Sequence, residues 1–211
     1  MVDMTTRDER HKARQQRLKD QVDAKIAAAQ EERGLLIVIT GDGKGKSTSG
    51  FGTVCRAVGH GLKAAVVQFI KGGSTYGELK AIEALKDAGY PVAIRPMGKG
   101  FIFHNREDSA EKMAEHRAAA EAAWQSLTEE VMSDNWDLIV FDEINYAVKF
   151  GLLDVARVTK LLSERPKRLH VILTGRDAAP EVVEMADTVT EMKEVKHAYQ
   201  RGIKAMKGIE F

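Results

Sequence analysis

The stretch Gly34 to Thr48, GLLIVITGDGKGKST, constrains this chain more than any other. An apolar run, Leu35 to Ile39, breaks into a loop with glycine at 41, 43 and 45 and continues through Lys46-Ser47-Thr48 into a helix-like pattern. Strand, glycine-rich loop, Gly-Lys-Ser and helix in that order make a phosphate-binding loop. The glycines let backbone N–H groups turn inward, the lysine supplies a point charge, and the Ser47 hydroxyl can reach a Mg²⁺. The spacing departs from GxxxxGK[ST], which asks for glycine at position 40, where this chain has Thr40. The loop is therefore read as tighter than usual, with an extra lysine, Lys44, near its tip.

A chain of 211 residues has room for one domain with a proper core plus an appendage. A net charge of +1 argues against a nucleic-acid protein that works by bulk charge. No apolar run is long enough to span a membrane, and the N-terminus resembles neither a secretory signal nor a transit peptide, so a cytoplasmic location is expected. The single cysteine, Cys55, lies with Phe51, Val54 and Val58 at helical spacing and is read as a core residue. The histidines lack zinc spacing.

Residues 1–33 are polar and mixed in sign, with a thin stripe of Leu18, Val22, Ile26 and Ala29 at helical intervals. Two readings fit: a solvated, partly frayed helix, or a lid that orders over a ligand or a neighbouring subunit. From Gly34 onward apolar runs alternate with amphipathic stretches, the pattern of an α/β fold. Strands are expected at Leu35–Thr40, Ala64–Ile70, Val92–Pro96, Leu138–Asp142, His170–Thr174 and Thr188–Met192. The expected architecture has three layers in the manner of P-loop NTPases, with a mostly parallel sheet of about six strands and helices on both faces. The clearest helix is Ser109–Met132, whose core face is marked by Met113, Ala120, Trp124, Leu127 and Val131. The chain divides into an N-terminal extension, 1–33, and a nucleotide-binding domain, 34–211.

In such a fold the loops at the C-terminal ends of the strands form one ligand-binding rim. That rim carries the phosphate loop, Lys71, Asp142-Glu143, Arg176, and the loop Gly98 to His104 with two phenylalanines, Phe101 and Phe103. Asp142-Glu143 at a strand end reads as a magnesium-linked acidic pair, one carboxylate holding the ion directly or through water. Arg176 either meets phosphate charge or forms a structural ion pair with Asp177 or Asp142. The aromatic pair either offers a flat surface to a large planar ligand or packs under a lid. On these residues alone, a P-loop kinase or ATPase, or a nucleotide-dependent switch, stays open beside any other use of Mg-ATP.

The strings TGDGKGKST, RAVGHG, VVQFIKG, GFIF, FDEINY, ILTGR, ADTVTEM and the closing VKHAYQRGIKAMKGIEF occur in order from Thr40 to Phe211. Together they resemble the P-loop type corrinoid adenosyltransferases, which act on cob(I)yrinic acid a,c-diamide or cob(I)alamin. The resemblance implies transfer of the 5′-deoxyadenosyl group of ATP to the cobalt of a reduced corrinoid, with release of triphosphate. It implies ATP contacts from Gly41, Asp42, Gly43, Lys44, Gly45, Lys46, Ser47, Thr48 and Arg176, and Mg²⁺ ligands in Ser47 and Glu143. Lys46 would act on the leaving group, and the nucleotide would lie reversed in the loop, which gives Thr40 a reason. Phe101 and Phe103 would bind the corrinoid and displace its lower axial ligand; some members carry tryptophan where this chain has Phe103. No DxHxxG stretch is present, in keeping with ligand removal rather than replacement by histidine. The family further implies a homodimer and a flavoprotein reductant.

Overall fold

The computed structural model describes residues 7–70, 76–97 and 110–210. The chain separates into two compact units, Met1–Glu32 and Arg33–Phe211. In the first, helix α1 spans Arg7–Ala28, with Asp8 and Glu9 in its first turn and Lys25 in its last, the charge order that the helix dipole favours. Leu18, Val22 and Ile26 on its thin apolar stripe are 52%, 53% and 66% exposed.

The second unit is built on six parallel strands: β1 Leu36–Thr40, β2 Ala64–Gln68, β3 Val92–Pro96, β4 Leu138–Asp142, β5 His170–Thr174 and β6 Thr188–Glu191. Their order across the sheet is β3-β2-β4-β5-β1-β6. The helices between them are α2 Lys46–Gly59, α3 Gly77–Asp87, α4 Ala110–Met132, α5 Ile144–Lys149, α6 Val155–Glu164 and α7 Pro180–Met185, and a 3-10 turn, Ala198–Arg201, follows β6. All six expected strands are present, shifted by at most two residues. The largest difference is at β2, which ends at Gln68, two residues short of the expected Ile70, with the Phe69 amide closing the ladder to Asp142 O at 3.0 Å.

Alternation along the strands sorts the core into two faces. On β4, Leu138 and Val140 join Phe51, Val54, Val58 and Ile82 under α2 and α3. Ile139 and Phe141 join Trp124, Leu127, Val131, Ile144, Leu161 and Val182 under α4 to α7. Each fully buried side chain of Leu, Ile or Phe size contributes about 1.5–3 kcal/mol through removal of apolar surface from water. The faces follow the direction of travel. Connections that step toward β3 carry α2 and α3 on one face, and those that step toward β6 carry α4 to α7 on the other, so all crossovers share one hand.

Cys55 is exposed, against the expectation of a core cysteine. Buried Phe51, Val54, Ala57 and Val58 fix the inner stripe of α2, and at 3.6 residues per turn position 55 is rotated about a quarter turn away from its centre. The helical period was right and the phase within it was not.

Parallel order brings every strand's C-terminal end to one side. β5 lies between β1 and β4, which sets the phosphate loop and the acid pair two strand spacings apart, about 10 Å. Thr174, in register with Ile39, ends the strand between them.

Candidate functional site

β1 runs to Thr40, in register with Glu191, so the loop begins at Gly41 and not one residue earlier. The Thr40 hydroxyl accepts the Ala178 amide at 3.2 Å, fastening the end of β1 to the loop after β5. Glycine is required next. Gly41 has φ 94°, and a Cβ there would lie 2.5 Å from Met192 O. Gly43 donates its amide to Met192 O at 2.6 Å, and Met192 donates its own to Thr40 O at 2.7 Å. The loop is thus pressed against the residue that follows β6, and Gly45, at φ 107°, turns it into α2.

Lys46 opens that helix and is buried, 8% exposed. Its Nζ donates to Gly43 O at 2.6 Å, leaving further N–H donors for a ligand. Burial holds the Lys46 pKa below the ordinary lysine value; Glu143 and Asp42 oppose this and Arg176 adds to it. An ammonium so desolvated gains from any anion placed beside it.

The acid pair divides its work. Asp142 is fully buried and accepts Gln68 Nε2 at 2.9 Å and the Thr174 hydroxyl at 2.8 Å, so both its oxygens serve the scaffold. Glu143 adopts φ 63° at the start of α5, and its amide donates to Thr174 Oγ1 at 3.0 Å. That turn carries Glu143 out of the core to the rim, where a Cβ on Gly175 would lie 3.2 Å from its Oε2.

A cavity of about 430 Å³ gathers Asp42, Gly43, Lys44, Gly45, Lys46, Ser47, Thr48, Glu143 and Arg176. Gly41, which turns the chain out of β1 at φ 94°, is not among the residues that line it. Arg176 Nη2 donates to Asp42 O at 3.3 Å, whereas Asp177 pairs with Lys149 at 2.6 Å and Asp142 with Gln68 and Thr174. Neither structural ion pair considered for Arg176 is formed among the described residues. Lys71, Phe101 and Phe103 lie outside the described residues.

A family model described as ATP:corrinoid adenosyltransferase BtuR/CobO/CobP matches residues 32–211. This chain belongs to the ATP:corrinoid adenosyltransferase family. A second model, cob(I)alamin adenosyltransferase N terminal, matches residues 3–26 of this family member. The corrinoid adenosyltransferase of Pseudomonas aeruginosa is 44% identical over 211 residues, the whole of both chains. Those of Escherichia coli K12 and Salmonella typhimurium are 43% and 42% identical, each covering 97% of this chain and 99% of that protein.

Three further residues of this adenosyltransferase line the same cavity: Glu78, Tyr146 and Glu210. Tyr146 follows Glu143 by one helical turn, a spacing visible in FDEINY. Its ring lies 4.2 Å from that of Phe150, and burial raises its pKa. Glu78 stands in the first turn of α3, with no local sequence signal to single it out. Glu210 reaches Lys44 from the far end of the chain, and only its place in the closing GIE-aromatic string marked it.

Proposed function

We propose that this protein transfers the 5′-deoxyadenosyl group of ATP to the cobalt of a reduced corrinoid and releases triphosphate. The observation that carries this reading is the family match over residues 32–211, which spans the entire phosphate-loop unit. The site chemistry supports it. Co(I) is a nucleophile that needs no deprotonation. The C5′–Co bond forms as the C5′–O bond breaks, and the electron pair leaves with the triphosphate. The demand on the protein is to hold a polyanion whose charge grows in the transition state. The loop N–H groups, Lys44, Lys46 and Arg176 suit that demand, because preorganised donors in a desolvated site stabilise developing charge without reorganising.

The residues present fit a Mg²⁺ ion. Among the described residues no three His, Cys, Asp or Glu converge into a protein-only cage. The Ser47 hydroxyl and the Glu143 carboxylate are the hard oxygen donors that would hold it, the kind of ligand Mg²⁺ prefers. Bound there, the ion supplies neutralisation of phosphate charge. Asp142 serves by holding Thr174, and Thr174 by setting the turn that presents Glu143.

The same reading assigns Phe101 and Phe103 to the corrinoid, on whose lower face they displace the axial ligand and ease reduction of Co(II). It assigns the protein to a homodimer and the reductant to a flavoprotein, and leaves residues 1–33 as a charged helical extension, either solvated or a lid. Product analysis tests the core of it. With Mg-ATP and chemically reduced cobalamin, triphosphate and an adenosylated corrinoid are expected; ADP with orthophosphate and no Co–C bond would overturn it.

A further inference from the structure

A second cavity, of about 490 Å³, adjoins the phosphate loop on the side of β6 and is lined by Gly43, Lys44, Lys193, Lys196, His197 and Glu210, among others. It shares Gly43, Lys44 and Glu210 with the phosphate-loop cavity, so the Lys44–Glu210 ion pair stands at the boundary between the two. The groove is fixed to the loop and not merely near it. A Cβ on Gly43 would lie 2.9 Å from the Lys193 carbonyl carbon, and Gly43 N bonds Met192 O, one residue earlier.

The groove is cationic in a specific way. Of its two carboxylates, Glu194 accepts Gln200 Nε2 at 2.7 Å and Glu210 is held by Lys44. Lys193 and Lys196 have no carboxylate partner among the described residues. The pull of Lys44, and then of His197, keeps the Glu210 carboxyl below its ordinary pKa, so it stands there as an anion. A carboxylate already resting on a phosphate-loop lysine occupies a place that suits a phosphate oxygen, and an exposed ion pair yields readily to a more highly charged competitor.

Resting on the function proposed above, we propose that this groove is a second polyphosphate subsite. It takes the end of the phosphate chain that runs past Lys44 once Glu210 has given up that lysine. Adenosyl transfer releases three linked phosphates at once, an anion long enough to reach beyond the donors gathered in the phosphate-loop cavity. Lys193 and Lys196 supply the remainder on the side where the loop is already anchored. The same chemistry has two sources, the chain end of bound ATP and free triphosphate.

Titration calorimetry on the full-length protein with inorganic orthophosphate, pyrophosphate and triphosphate tests the subsite. Unmodified protein is expected to bind triphosphate more tightly than pyrophosphate. Lys193→Ala with Lys196→Ala is expected to lose about tenfold for triphosphate, equivalent to about 1.4 kcal/mol, while orthophosphate binding is unchanged. Glu210→Gln is expected to tighten triphosphate. An equal loss for orthophosphate, meaning a diffuse field only, or no loss for triphosphate, overturns the subsite. A matching loss for ATP places the substrate's chain end in the groove, and a loss confined to triphosphate makes it a product site; both support it. Loss of orthophosphate binding in Lys46→Ala leaves the phosphate loop standing even where the groove fails, whereas unchanged binding there removes both.

Discussion

Thr174 gives its hydroxyl proton to Asp142 at 2.8 Å and accepts the Glu143 amide at 3.0 Å, so one side chain on β5 fixes both acids at the end of β4. Thr174→Val keeps the shape and removes both bonds. A stability loss of about 2 kcal/mol is expected for a hydrogen bond to a charged group, which in a domain of this size is a fall in Tm of about 4–8 °C. Thr174→Ser should restore both stability and turnover. A valine variant as stable and active as the parent would remove the positioning role.

Lys46 should separate stability from function. Its charge is held in a desolvated place, so Lys46→Met is expected to leave Tm unchanged or raise it. Turnover with ATP should fall by about 10²–10³, the usual cost of removing a donor to developing negative charge. Unchanged turnover would mean that the loop is not the triphosphate site.

Acid should loosen the start of the sheet. Asp187 accepts both Arg33 guanidinium N–H groups, at 2.7 and 2.5 Å, and the Leu36 amide at 2.8 Å. These contacts, Arg33 first, lower its pKa to about 2. A depressed folded-state value means a contribution that is present in full above about pH 4 and lost as pH falls through about 2. In Asp187→Asn the slope of stability against pH across that window should flatten, as read by urea unfolding at several pH values. An unaltered slope would assign acid sensitivity elsewhere.

The two phenylalanines call for paired assays. Phe101→Ala with Phe103→Ala should lose most activity when Co(II) must be reduced on the enzyme and retain much of it when Co(I) is supplied ready-made. Equal losses in both would remove ligand displacement.

Truncation addresses the N-terminal unit. A chain that begins at Arg33 should keep its fold and lose corrinoid affinity if residues 1–33 close over the site. Unchanged affinity and turnover would return that helix to a solvated appendage.

The strands were legible because a buried parallel sheet leaves short, continuous apolar runs between turn residues, and LIVFD or HVILT admits few other uses. The phosphate loop was legible for the opposite reason: its glycines serve backbone geometry, and Gly41 and Gly45 adopt positive φ as their spacing implies. What local pattern hides is phase and distance. Cys55 shares the period of α2 and still faces out. The roles of Asp142 and Glu143 diverge through a single left-handed residue, and no rule of composition places that turn between two adjacent acids. Glu210 meets Lys44 across 166 positions, a contact that exists only once β6 has been laid beside β1.

That last strand carries a thermodynamic consequence. β6 is four residues long, exposed along its whole length, and paired among the described residues on one side only, which places it among the segments that fray first. Yet Met192, immediately after it, receives the Gly43 amide. The anchor of the phosphate loop therefore belongs to an exposed edge of the sheet, and on the proposed function part of every triphosphate affinity is the work of closing that edge. Amide exchange in Val189 to Met192 should slow when triphosphate binds, while the central strands, protected already, report nothing.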